Sequence, residues 1–199
     1  MINLIYSSRT RDEIAMGLVV DPSPRTMQLK MVRVAEGGQN ASATMDITNF
    51  DPGFFVVNDG VKYRYIYVCC RSVGESVNFR KSYGIDYVLD VTRSIDDSHY
   101  LYQSEAERRL FFNQMVHVVQ LFLTTDGNIA IYCNNGRSRS PALVAAYFVV
   151  AECFCAAGAY KYLSSIFQRM RHSDKNIDRE GRFEKYIDEL EIIMKLAEN

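Results

Sequence analysis

The chain has 199 residues, of which 48% are hydrophobic and 24% charged, and its formal net charge is −1. That is length for one well-packed core with an appendage, and the composition is that of a globular protein, which excludes a disordered or fibrous one. With so little net charge there is no overall basic field, so nucleic acid is not an expected partner and any anion site must be local. There are five cysteines (Cys69, Cys70, Cys133, Cys153 and Cys155). An odd count with closely spaced pairs does not suggest a disulfide framework, and a reduced, cytoplasmic or nuclear setting is expected. Cys153 and Cys155 have no nearby histidine, so no zinc spacing is present. Met1–Thr10 carries no long apolar core, and the longest apolar run, Ala142–Ala151, is too short to cross a bilayer. Neither a secretory signal nor a membrane span is expected.

In chain order, Asp12–Val20 has weak helical character. Arg25–Val34 alternates enough to predict a strand, and Glu36–Ala43 reads as a turn or flexible loop. Phe54–Val57 and Val61–Val68 are rich in strand-forming residues and flank Asn58-Asp59-Gly60, which predicts a hairpin turn there. Glu75–Tyr83 reads as a short helix closed by Gly84. Ile85–Val91 reads as a strand, and Arg93–Tyr102 as a polar loop with Asp96 and Asp97. Ser104 and Glu107 form a capping box for a helix to Leu123, whose apolar face includes Leu110, Met115, Val119 and Phe122. Ile129–Cys133 reads as the central strand. Pro141–Ala157 is a nearly all-apolar helix, hence buried, capped near Gly158, with Cys153 and Cys155 as small apolar residues on it. Tyr160–Arg171 and Arg182–Leu196 are further helices. Strands alternating with helices predict an α/β fold with a mainly parallel sheet flanked by helices. Residues 1–60 read as an N-terminal extension of unassigned role, suited to covering a sheet edge or binding a protein partner. Residues 61–199 read as the main domain.

The richest stretch is Ile129–Pro141, Ile-Ala-Ile-Tyr-Cys-Asn-Asn-Gly-Arg-Ser-Arg-Ser-Pro. An apolar strand ends in Cys133, a tight polar loop follows, and then an apolar helix begins. Cys133 can carry a nucleophilic sulfur, and Arg139, six residues on, can return a guanidinium fork to phosphate oxygens. Gly136 permits a backbone angle that a side chain would oppose. Ser140 fits a helix N-cap and Pro141 the first helical position. The loop would then end on a helix N-terminus, whose N–H groups and dipole favour an anion and, for the same reason, a thiolate. The alternative reading is a buried structural cysteine ahead of an arginine-rich cap.

Cys133-Asn134-Asn135-Gly136-Arg137-Ser138-Arg139-Ser140 resembles the Cys-(five residues)-Arg-Ser/Thr signature of the protein tyrosine phosphatase superfamily. Pro141 and the apolar helix resemble its dual-specificity branch, as does Tyr83–Val91. The resemblance implies the phosphatase fold over about residues 61–197. It implies that Cys133 attacks phosphorus and forms a phosphocysteine, that Arg139 holds the equatorial oxygens, and that Ser140 helps water release phosphate. The backbone N–H groups of Asn134, Asn135, Gly136, Arg137, Ser138 and Arg139 would cradle the oxygens. No metal or other cofactor is implied, and the implied partner is a phosphoprotein substrate.

Three positions depart from the family pattern. Tyr132 stands where histidine is usual before the cysteine. The general acid has no clean match: Asp97 is the first choice and Asp96 the second, because the family carries its acid on a loop ahead of this helix. Arg179-Glu180 stands where Pro-Asn is usual before the last helix. Arg137 is an addition: either a second cation for a more negative substrate, or a surface arginine in solvent or paired with a carboxylate, as is commoner. His99, beside the candidate acids, reads as solvated or as lining the pocket, and His117 as a mid-helix residue in packing or at the surface.

The expected function is hydrolysis of phosphotyrosine, and of phosphoserine or phosphothreonine, in proteins. Tyr132 and the unclear acid leave open a pseudophosphatase that binds phosphate or scaffolds. Arg137 leaves open a polyanionic non-protein substrate such as a phosphoinositide or an RNA 5′ end.

Overall fold

The computed structural model describes residues 31–34, 51–92, 105–173, 177 and 183–198. The strands are β1 (Met31–Arg33), β2 (Phe54–Asp59), β3 (Arg64–Cys70), β4 (Tyr87–Asp90) and β5 (Ile129–Cys133). The helices are α1 (Arg71–Gly74), α2 (Val77–Ser82), α3 (Glu105–Thr124), α4 (Arg139–Ala151), α5 (Ala156–Met170) and α6 (Glu184–Glu198). One sheet has the order β1-β4-β5-β3-β2. Its three central strands are parallel, and both edges, β1 and β2, are antiparallel to their neighbours. The sheet thus draws two strands from before residue 61.

Every residue of β5 is buried, as expected of a central parallel strand covered on both faces. Phe55, Val57, Ile66, Val68, Leu89, Ile129 and Ile131 pack on one face with the apolar sides of α3, α4, α5 and α6. Phe54, Tyr67, Cys69, Val88, Ala130 and Tyr132 pack on the other around Phe79 of α2. In α4 every residue from Arg139 to Val150 is buried. A helix apolar all round must be, and α4 sits between α3, α5 and α6. Among the described residues no helix is long and apolar enough to cross a membrane.

Three local expectations shift. The hairpin does not turn at Asn58–Gly60: β2 runs on to Asp59 and the turn occupies residues 60–63, with Tyr63 at φ 52°. The reason is Asp59, which is fully buried. Its carboxylate takes Arg64 Nε at 2.7 Å, the Tyr147 hydroxyl at 2.8 Å and the Lys62 amide at 3.1 Å. The helix expected over 75–83 begins two residues later, as α2, because Ser76 accepts the Phe79 amide at 3.2 Å and caps it, and the short α1 precedes it. The apolar helix α4 stops at Ala151 rather than near Gly158. Cys153 takes φ 58°, and Cys155 caps α5 by accepting the Gly158 amide at 3.3 Å. Cys153 and Cys155 are therefore exposed in a connection, not buried on a helix.

At the outer edge of the sheet the Val56 amide of β2 donates to the Met170 thioether at 3.4 Å. Just past it, Arg171 grips both oxygens of Asp51, at 2.7 and 2.8 Å. The far end of α5 is thus fastened to the start of β2.

Candidate active site

Cys133 ends β5 and is 3% exposed. Its Cα registers with Cys70 of β3, and Tyr132 registers with Asp90 of β4. Residues 134–138 then turn back toward β3. Gly136 has φ 64°, and a Cβ there would lie 2.5 and 2.6 Å from the Cys69 carbonyl carbon and oxygen. Only glycine lets the loop lie this close in this conformation. The Arg71 amide donates to the Asn134 carbonyl at 3.1 Å and ties the loop to the start of α1.

α4 begins at Arg139, two residues earlier than a Ser140 cap and Pro141 start would give. The Ala142 amide already closes on the Ser138 carbonyl at 3.0 Å, so Ser138 is the cap residue, without a side-chain bond. Arg139 and Ser140 are both buried, at 3% and 0% exposure. The Arg139 Nη1 donates to the Val91 carbonyl at 3.3 Å and to the Thr92 carbonyl, at the end of β4. Ser140 Oγ is buried with no hydrogen-bond partner among the described residues. A cysteine at a strand end, an arginine returning from the first helical turn, and a buried hydroxyl beside it are suited to seizing and attacking a phosphoryl group.

Tyr132, in the position of the expected histidine, is 5% exposed. Its ring lies so close to Gly74 of α1 that a Cβ there would run into it. Burial first, then the negative charges of Asp90 and Glu75, push the Tyr132 hydroxyl up to about 12. It is therefore a neutral donor at any ordinary pH.

Residues 66–185 match the family model for the dual specificity phosphatase catalytic domain. The chain belongs to this family. No curated protein matches it, and no solved structure does. The dual specificity phosphatase domain accounts for the sheet from β3 through β5 and for the helices into the start of α6.

In this phosphatase domain a cavity of about 580 Å³ opens beside the Cys133–Arg139 loop, lined by Asn135, Arg137, Cys70, Phe167, Arg171 and His172. Arg137 is half-buried, with its guanidinium carbon 5.8 Å from the centre of the Phe167 ring, and Arg171 lies 5.2 Å from the same ring. Arg171 also donates to the Asn135 carbonyl at 3.0 Å, so it braces the loop. Its bond to Asp51 holds that carboxyl below the usual range. Arg137 Nε is buried and has no hydrogen-bond partner among the described residues. The sequence did not single out Phe167, Arg171 or Asp51. They meet only because α5 packs on β2, and no local pattern announces that.

Asp96, Asp97 and His99 lie outside the described residues, as do Arg179 and Glu180. His117 is half-buried in mid-α3, as expected. Among the described residues no group of three or more His, Cys, Asp or Glu side chains comes together as a metal site.

Proposed function

We propose that this domain hydrolyses phosphotyrosine, and phosphoserine or phosphothreonine, in proteins through a phosphocysteine on Cys133. The Cys133 sulfur attacks phosphorus as the bond to the leaving oxygen breaks. Asp97 supplies that oxygen's proton, and Arg139 and the amides of residues 134–139 carry the charge on the equatorial oxygens. Water then attacks the phosphocysteine, aided by Ser140, and phosphate leaves with the thiolate restored. The observation that carries this reading is the loop itself: Cys133 and Arg139, both buried, bracket a turn over Gly136 at the carboxyl ends of parallel strands. A reduced, cytoplasmic or nuclear setting suits such a thiolate.

The test is hydrolysis of a small aryl phosphate from pH 5 to 8, by the protein and by Cys133→Ser. Turnover lost in the variant supports the reading, and turnover retained overturns it. No turnover in either, with phosphate or tungstate still protecting against heating, would make this a phosphate-binding module.

A second reading, a polyanionic substrate such as a phosphoinositide or RNA 5′ end, is favoured by the Arg137 Nε beside the cavity, which has no hydrogen-bond partner among the described residues. A preference for such a substrate over a phosphotyrosine peptide that vanishes in Arg137→Ala would support it. An unchanged preference would sink it.

A further inference from the structure

Asp90 is the last residue of β4, its side chain is exposed, and it lies far from the Cys133–Arg139 signature in sequence. Its Oδ1 accepts the Thr92 amide at 2.8 Å. That bond closes a turn of the kind Asp and Asn side chains form with the backbone two residues on. The turn presents two successive carbonyls, of Val91 and Thr92, and both accept from Arg139 Nη1. Val91 is also held from the strand side, its amide donating to the Tyr132 carbonyl at 2.9 Å. Beyond Val91 the pairing of β4 with β5 has ended. The Thr92 peptide is thus oriented by the Asp90 carboxylate. Tyr132 adds to the same corner, since its hydroxyl faces Asp90 from the neighbouring strand at the same register.

We propose that Asp90 is a positioning residue for Arg139: by fixing the Val91–Thr92 turn, it sets the plane in which the guanidinium meets the phosphate. A guanidinium grips two oxygens only when its fork is aligned with them. The carbonyls set that alignment and Asp90 sets the carbonyls. The inference rests on the reading that Arg139 binds the phosphoryl group. What the turn requires is an acceptor one carbon beyond Cβ, not a charge. Asparagine supplies that acceptor, while glutamate keeps the charge and moves the oxygen one carbon further away.

The experiment measures kcat and KM for an aryl phosphate, and the affinity for orthovanadate, in Asp90→Asn, Asp90→Glu, Asp90→Ala and Arg139→Ala. Asp90→Glu and Asp90→Ala lose about 10–100-fold in kcat/KM and a similar factor in vanadate affinity, the loss falling mainly in kcat, as misplacing a positioned group does. Asp90→Asn restores both to within about threefold, because it rebuilds the turn. A role in folding alone would move unfolding midpoints without separating Asn from Glu in vanadate affinity. The inference is overturned if Asp90→Glu keeps its vanadate affinity, or if Asp90→Asn falls as far as Asp90→Ala. Should Asp90→Ala fail to fold, the Asn and Glu variants decide between them. Arg139→Ala separates the two levels. If it keeps vanadate affinity, the reading of the site is wrong. If it loses that affinity while the Asp90 variants do not, only the present inference falls.

Discussion

Arg64 and Arg139 are each 3% exposed, and they sit at opposite ends of the parallel strands. Arg64 opens β3. Its Nε meets Asp59 at 2.7 Å, its Nη2 meets the Phe122 carbonyl at 2.7 Å, and its Nη1 meets the Thr125 carbonyl. The rings of Phe122 and Tyr147 flank it at 5.8 Å. The same Asp59 accepts the Tyr147 hydroxyl and, after burial, is the main reason that hydroxyl is pushed up. This arginine is neutralised by a carboxylate and serves the fold. Arg139 donates to the backbone carbonyls of Val91 and Thr92, which help to fix its direction. Equal burial thus says little about role. Among the described residues the contacts differ in kind: a carboxylate, carbonyls and two rings hold Arg64, while Arg139 reaches two carbonyls at the end of β4.

The largest effect that tests this contrast is on catalysis. Arg139→Ala should lower kcat/KM for an aryl phosphate by about 10³–10⁵-fold, the range seen when a transition-state arginine is lost. Steady-state kinetics beside a urea titration would show activity gone and stability nearly kept. Arg64→Met should do the reverse. It leaves Asp59 as a lone buried charge and should cost about 3–5 kcal/mol in urea unfolding, with kcat of the folded fraction unchanged. Replacing Asp59 by leucine in the same protein should recover part of that loss. If Arg64→Met instead abolished turnover in folded protein, the division of labour would be wrong.

A smaller effect is expected at Gly74. Its substitution by alanine drives a methyl into the Tyr132 ring and should cost about 1–3 kcal/mol by overpacking. Tyr132→His in that background should not restore the unfolding midpoint, because the Cβ and Cγ that the methyl meets, at 2.7 and 2.4 Å, are kept in histidine. The smallest effect concerns Asp51, whose carboxyl Arg171 holds below the usual range. A depressed carboxyl adds stability above its ordinary value and loses it as pH falls through the folded one. Asp51→Asn should therefore cost about 0.5 kcal/mol at neutral pH, since the side chain is half exposed and screened. The gap from the parent should close below about pH 4, near the ordinary carboxylate value. Thermal melts across that range would check it.

The sequence made the loop legible because its signals are local. An apolar run predicts β5, a glycine marks the turn, and an all-apolar stretch predicts a buried α4. The family signature lies wholly within Cys133–Ser140. What stayed hidden depends on partners far along the chain. The hairpin turn lies beyond Asp59 because Asp59 is claimed by Tyr147, 88 residues away. The break between α4 and α5 has no glycine or proline to announce it, and depends on the Cys155 cap and on Glu191 of α6, which accepts the Ala156 amide at 2.7 Å. The start of α4 moved by two residues because Ser138, not Ser140, closes its first turn. Asp90 looked like an ordinary strand end. Its link to Arg139 passes through two backbone carbonyls, which no residue pattern encodes.

The bond from the Val56 amide to the Met170 thioether bears on self-association. Among the described residues β2 is an outer strand, and the amides of an outer strand invite another chain to add to the sheet. Here that invitation is blunted at mid-strand by a sulfur atom, and at the strand's approach by the Arg171–Asp51 clasp. A second copy growing onto this edge would have to peel the end of α5 away first. The helix end that borders the cavity therefore also covers part of this strand, so a change made there to alter the cavity would also uncover a backbone amide of the sheet.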